Sequence, residues 1–205
     1  MKVILVNGSP HEKGCTYTAL KEVADTLDKN EIETEIFWIG NKPISGCIAC
    51  KACFNDGECV FDDTVNEFTK KAASADGFIF GSPVHYASAS GMMTSFLDRA
   101  FYGKKGLAYK PGACIVSCRR GGATAAFDQL NKYLTINNMP VVSSQYWNMV
   151  HGNTPEEVRQ DEEGMQIMRT LGNNMAWLLK CIEAGKKSGV NLPDVEKPIR
   201  TNFIR

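Results

Sequence analysis

Apolar and polar positions follow a repeating order along the chain: a short continuous apolar run, a polar loop, then an apolar stripe of helical period. Val3 to Val6 is the first such run, a strand buried on both faces, and Asn7-Gly8-Ser9-Pro10 stops it with turn chemistry. From Thr16 onward Ala19, Leu20, Val23, Ala24 and Leu27 share one helical face. Glu33 to Ile39 alternates imperfectly and predicts a second strand ended at Gly40 to Pro43, whereas 44–63 has no sustained period and reads as an irregular excursion. Thr64-Val65-Asn66-Glu67 then predicts a capping box, with Val65, Phe68, Ala72 and the Lys71 stem turned inward on a helix ending near Ser74.

The same order returns twice. Gly77 to Gly81 is a compact strand, Ser82 to Ser88 a loop, and Ser90 to Phe101 a helix burying Met93, Phe96, Leu97 and Ala100. Ala113 to Val116 is a strand, Ser117 to Gly122 a loop, and the next helix buries Phe127, Leu130 and Leu134. Pro140-Val141-Val142 predicts the start of the last core strand, with Ser143 to Gly152 a loop carrying Tyr146, Trp147 and His151. Thr154-Pro155-Glu156-Glu157 opens a long helix whose stripe runs from Val158 to Ile182, bent at Gly164 and Gly172 and capped at Gly185. The pattern is lost over 186–205, where Pro193, Pro198 and Phe203-Ile204-Arg205 predict an extended tail.

Strand and helix in alternation predict an α/β domain over 1–185, with about five parallel strands, helices on both faces and a cysteine-rich insertion at 44–63. At 205 residues one core suffices. The 23 basic and 23 acidic side chains cancel, which argues against nucleic acid or an anionic membrane as partner. Apolar runs are too short for membrane insertion, and strand-like sequence directly after Met1 gives a cytoplasmic expectation.

In such a sheet the ligand site forms beyond the carboxyl ends of the strands. Three loops recur there. The first, Gly8 to Thr16, offers Ser9 and Thr16 hydroxyls, His11 and the amides of a helix N-terminus, a set suited to a terminal monophosphate; it has neither G-x-G-x-x-G nor G-K-S/T. Cys15 at that helix start is expected to have a lowered pKa, yet nothing beside it supplies a base for thiol hydrolysis. The second loop, with Pro83, Val84, His85 and Tyr86, suits a flat heteroaromatic ring, and Arg119 and Arg120 in the third suit negative charge on a reduced ring or on cofactor phosphates. An ordinary βα connection has the same composition as any one loop; the agreement of three in position is the stronger signal. None of the histidines has H-E-x-x-H spacing.

Four of eight cysteines fall in Cys47-x2-Cys50-x2-Cys53-x5-Cys59. One short loop of this spacing brings four thiolates around one centre, as an iron–sulfur cluster or tetrahedral zinc requires; four reduced surface thiols give the same spacing. Their position after the second strand places them on the ligand-bearing side of the sheet. Cys114 and Cys181 read as small buried hydrophobes.

The segments N-G-S-P-H-E-K-G-C-T, G-S-P-V-H-Y-A-S-A-S-G with F-L-D-R, and R-R-G-G resemble the flavodoxin-like NAD(P)H-dependent FMN reductase superfamily, most of all its iron-sulfur flavoprotein branch, over Lys2 to about Cys181. The resemblance implies a doubly wound five-stranded parallel sheet of order 2-1-3-4-5, FMN at the loop edge, NAD(P)H as electron donor, and a homodimer or tetramer. It carries the FMN phosphate to Ser9, His11, Cys15 and Thr16, and the isoalloxazine to Pro83, Val84, His85, Tyr86, Cys118, Arg119 and Gly121. His11 stands where many relatives have arginine, and Cys15 where they have asparagine. It also implies a 4Fe-4S cluster on Cys47, Cys50, Cys53 and Cys59. The expected activity is electron transfer to a quinone-like, small organic or redox-protein acceptor. The alternatives are a flavodoxin-type carrier and a zinc-stabilised binding module.

Overall fold

A computed structural model describes all residues of the chain except Asp56, Lys104, Lys105, Asn202, Ile204 and Arg205. Its centre is a parallel sheet of β1 (Lys2–Asn7), β2 (Glu33–Trp38), β3 (Gly77–His85), β5 (Gly112–Cys118) and β6 (Met149–His151), in the order β2-β1-β3-β5-β6. Counting parallel strands alone, this is the expected order 2-1-3-4-5. The two-residue β4 (Ser88–Ala89) folds back antiparallel on β3, pairing Val84 with Ala89 and His85 with Ser88.

Because side chains alternate across a strand, each core strand feeds two cores. Ile4, Val6, Phe78, Phe80, Cys114 and Val116 face α3 (Thr64–Ala72), α4 (Gly91–Tyr102) and α5 (Ala123–Ile136), where Phe68 meets Phe78, Phe80 and Phe96 edge-on. Val3, Leu5, Ile79, Ala113 and Ile115 face α1 (Cys15–Lys29) and α7 (Glu162–Lys187). A short α2 (Ala52–Asn55) lies within the cysteine segment, and α6 (Pro155–Gln160) precedes α7.

Several sequence expectations are corrected. The last strand is Met149–His151, inside the stretch read as a loop, because Val141 makes only an isolated bridge to Gly112 while Met149, Val150 and His151 pair along β5. The long helix breaks at Asp161, whose side chain caps α7 by accepting the Gly164 amide, and α7 runs past Gly185 to Lys187. Asp63 rather than Thr64 caps α3, accepting from Val65 N, and Lys71 points outward to Glu35 at 2.7 Å. Strand β3 continues through Ser82–His85, so the second loop is the tip of a hairpin. Cys181 is exposed, since α7 turns Met175 and Leu179 to the core instead. The Met-rich stripe of α7 is spent against α1 within the same chain, leaving Tyr146, Trp147 and Trp177 as its exposed aromatic neighbourhood. Beyond Ser188 the described tail residues are exposed and without regular structure; Asn202, Ile204 and Arg205 lie outside the described residues. No helix among the described residues is long and apolar enough to cross a membrane.

Candidate functional site

At the carboxyl edge of the sheet the first loop is organised by a buried asparagine. Asn7 Oδ1 accepts the Ser9 amide at 3.1 Å and Asn7 Nδ2 donates to Glu12 O at 2.9 Å, curling the loop over the strand end. Ser9 Oγ accepts the His11 amide at 3.1 Å, and Trp38 Nε1 donates to Ser9 O at 2.8 Å from the end of β2. Neither Asn7 nor Trp38 was singled out from the sequence; an asparagine closing an apolar strand was the available signal for the first.

Hydrogen bonds tie the loops together. Gly8 N donates to Gly81 O and Ser90 Oγ donates to Gly8 O, both at 2.8 Å, joining the first loop to the hairpin. The Thr16 and Ser117 hydroxyls meet at 2.8 Å, joining α1 to the end of β5, and Gly152 N donates to Cys118 O at 3.1 Å. Gly122 has φ +89°, and its missing Cβ lets Ala87 approach; a Cβ there would stand 2.7 Å from Ala87 Cα. The hairpin tip itself is strained, with Tyr86 at φ 50° and Ala87 at φ 60°, both side chains in the left-handed region that glycine favours.

Ser9, Cys15, Thr16, Cys118 and the hairpin residues Pro83 and Val84 thus stand on one edge, with Ser9, Thr16 and Cys118 buried and Pro83 and Val84 partly so. His11, His85, Tyr86, Arg119 and Gly121 are exposed around it. Cys118 Sγ donates to Gly121 O at 3.0 Å, holding the third loop. The Cys15 pKa is raised rather than lowered: burial pushes the thiol up, outweighing the hydrogen bond from its own backbone amide, and Glu157 and Glu156 add to the rise.

Helix capping distinguishes α1 and α5 from α3, α4, α6 and α7, although α4 opens at the same edge, where its cap Ser90 donates to Gly8 O. The N-termini of α3, α4, α6 and α7 are capped by the side chains of Asp63, Ser90, Thr154 and Asp161. Those of α1 and α5 start from Gly14 and Gly122, with no side-chain cap and no acidic residue in the first turn. Their leading amides are therefore the ones left for a ligand.

The four clustered cysteines lie elsewhere. They do not stand over the loop edge; Cys47, Cys50, Cys53 and Cys59 line one small cavity closed by Phe61, Arg99 and Tyr102, against the second half of α4. The loop crosses from β2 to the start of α3, and α4 runs away from the edge, which carries the cavity with it. The Cys53 thiol is pushed up by burial and then by the thiols of Cys59, Cys47 and Cys50. Among the described residues no three His, Cys, Asp or Glu side chains are drawn to metal-ligating geometry, so the sulfurs share a cavity without converging fully.

The model of the NADPH-dependent FMN reductase family matches residues 1–154. The chain belongs to this family. As a member of the NADPH-dependent FMN reductase family it is an FMN-dependent oxidoreductase. It is also related to the iron-sulfur flavoproteins: one from Methanocaldococcus jannaschii is 31% identical over 192 residues, covering 89% of this chain and 100% of the relative. Among solved structures, the NAD(P)H:(acceptor) oxidoreductase FerB of Paracoccus denitrificans aligns with a TM-score of 0.66 at 17% identity, over 88% of this chain and 97% of that one. RosB with bound 8-demethyl-8-formylriboflavin-5'-phosphate aligns with a TM-score of 0.70 at 14% identity, over 100% of this chain and 94% of that one. Both share the fold.

Proposed function

We propose that FMN lies along the edge joining the three loops, and that the enzyme, a cytoplasmic homodimer or tetramer, passes electrons from NAD(P)H to a quinone-like, small organic or redox-protein acceptor. The observation that carries this reading is the pair of uncapped helices, α1 and α5, opening at the one edge where Thr16 and Ser117 join the first and third loops. The α1 amides and the Thr16 hydroxyl hold the phosphate, with the Ser9 hydroxyl, whose oxygen already accepts His11 N, free to donate. The hairpin from Pro83 to Tyr86 covers one side of the ring, and the Gly122–Ala87 contact fixes its distance from the third loop. Arg119, exposed beside that loop, supplies positive charge where the ring becomes anionic. Bound FMN supplies hydride acceptance and onward electron transfer; the chain contributes binding, orientation and electrostatics, and no side-chain nucleophile is required.

The same reading gives Cys47, Cys50, Cys53 and Cys59 a 4Fe-4S cluster. The donor set fits: four thiols on one cavity supply the cysteine ligation such clusters take. Ligation requires the loop to draw its sulfurs inward, and Cys47 and Cys50, both exposed, have the room to move. Tyr146 and Trp147, half exposed and in edge contact at 4.8 Å, are the residues offered to a second subunit.

Titration of the apoprotein with FMN tests the site. Saturation in the micromolar range is expected, about −8 kcal/mol, and no binding at tens of micromolar overturns the reading. Anaerobic mixing of the FMN-loaded protein with NADH or NADPH should bleach the flavin. Bleaching by neither would favour a flavodoxin-type carrier. Iron and acid-labile sulfide assays on anaerobic material test the cluster, stoichiometric zinc being the outcome that makes the loop structural instead.

A further inference from the structure

Arg99 lies on α4 with its side chain only 1% exposed. Its guanidinium satisfies every nitrogen: Nη1 donates to Asp63 Oδ2 at 2.6 Å and Ser45 O at 3.3 Å, and Nη2 to Asp63 Oδ1 at 2.8 Å and Phe61 O at 3.1 Å. The remaining donor, Nε, points at Cys59 Sγ at 3.2 Å. A buried cation already has its counter-ion in the bidentate Asp63, so the fifth bond is not needed for charge balance. It is directed at one of the four cysteines, and that cysteine is also the one whose backbone is clamped. Buried Asn66 accepts from Cys59 N at 2.8 Å and donates to Cys59 O at 2.9 Å. Cys47 and Cys50, by contrast, are exposed and flank residues of positive φ, Ala49 and Lys51. The site is thus asymmetric, with the Cys59 sulfur fixed in advance, Cys53 on the short α2, and Cys47 and Cys50 on the exposed loop.

Resting on the cluster reading above, we propose that Arg99 is a positioning residue for the iron–sulfur site: it fixes the Cys59 sulfur as the anchoring ligand, and its Nε–H, donated to that sulfur, raises the reduction potential of the bound cluster. The physical reason is charge. One-electron reduction, with the electron coming from the flavin that NAD(P)H has reduced, adds one negative charge to the cluster and leaves its bonds intact. A cationic donor on a ligand sulfur stabilises the more negative state, and hydrogen bonds to sulfur are among the determinants of cluster potential.

The test is potentiometry of the cluster, followed by electron paramagnetic resonance in anaerobic, FMN-loaded wild type, Arg99→Gln, Arg99→Lys and Asp63→Asn. Arg99→Gln should reduce the cluster's reduction equilibrium constant about tenfold, a midpoint ~59 mV more negative for one electron. Arg99→Lys should recover part of that shift, since it keeps the charge without the planar fork. Asp63→Asn should move the midpoint the other way: it removes a negative charge while asparagine still caps α3 and Arg99 keeps its bond to sulfur. If Arg99→Gln loses its FMN, and so its fold, the pair of Arg99→Lys and Asp63→Asn decides, opposite shifts supporting the proposal. Midpoints equal to wild type, or shifts of the same sign in Arg99 and Asp63 variants, would overturn it and leave Arg99 a purely structural partner of Asp63. Wild-type protein without iron and sulfide would overturn the cluster reading itself, and this inference with it, while leaving FMN binding intact.

Discussion

The side-chain oxygens of Thr16 and Ser117 lie 2.8 Å apart in the interior, bridging the first turn of α1 and the end of β5 across 101 residues of sequence. With Ser117 donating, the Thr16 hydroxyl proton is free to face a phosphate. Thr16→Val keeps the branched shape and removes both roles. Loss of a hydrogen bond to a charged ligand is worth about 1.5–3 kcal/mol, so FMN affinity should fall roughly 10- to 100-fold. Fluorescence titration of the apo variant measures this directly. An unchanged dissociation constant, with only the urea midpoint lowered, would restrict Thr16 to tying the two elements together.

Gly122 serves the site differently, through the space it leaves. Gly122→Ala puts an L side chain at φ +89° and a Cβ 2.7 Å from Ala87 Cα, which is backbone and cannot rotate away. Left-handed strain alone costs on the order of 1–3 kcal/mol, and the contact pushes the hairpin from the third loop. The variant should lose stability in urea and also bind FMN more weakly. Full affinity in a destabilised protein would show that hairpin spacing does not govern the ring site.

The fold was legible because β1, β3 and β5 each carry a short continuous apolar run and the helices that pack on them a clean stripe, as at Val3 to Val6 and Ala19 to Leu27. The failures have local physical causes. Met149–His151 is a strand of three residues flanked by Asn148 and Gly152, too short for any period, and it forms by pairing with β5. The break before α7 comes from Asp161 capping it, which competes with a stripe that otherwise runs on. At the site, residue type marked the donors Ser9 and Thr16, but the residues that position them were silent. Asn7 and Trp38 act through backbone partners, and Arg99 and Asn66 meet Cys59 only after the chain folds. The cysteine spacing was plain in the sequence; that these thiols sit against the second half of α4 required the path of that helix.

Gly172 is expected to matter for stability and little for the flavin. On α7 it faces α1, where an added Cβ would stand 2.8 Å from Thr26 Cβ and 3.2 Å from Val23 O. Overpacking at such a helix crossing costs typically ~1–3 kcal/mol. Gly172→Ala should lower the urea midpoint by a corresponding amount with FMN affinity nearly unchanged. Because Thr26 Cγ2 would stand only 2.9 Å from the added Cβ, Thr26→Ala in the same protein should relieve that part of the penalty while the Thr26 Cβ contact stays, a coupling that a double-mutant cycle reads. Strictly additive effects would mean that the two helices separate rather than clash.

Acid sensitivity should be traceable to one carboxylate on β2. Glu35 takes Lys2 Nζ at 2.7 Å on one oxygen and Lys71 Nζ at 2.7 Å on the other, linking β1, β2 and α3. Hydrogen bonds from Lys2, then Lys71, hold its pKa below the ordinary 4.5, outweighing the opposing effect of burial. A carboxylate with a depressed folded pKa binds fewer protons folded than unfolded between the two values, so stability rises with pH across that window. Its contribution is complete above the unfolded value and disappears as pH falls through the folded one. Glu35→Gln removes this ionisation, so the variant should be less stable than wild type near neutrality, and the gap should close on acidification. Urea midpoints of both proteins between about pH 6 and pH 3 would show the convergence, and added salt should shrink the gap at the upper end, because the partly exposed lysines are screened. A constant difference across that range would assign the loss to packing of the side chain rather than to its charge.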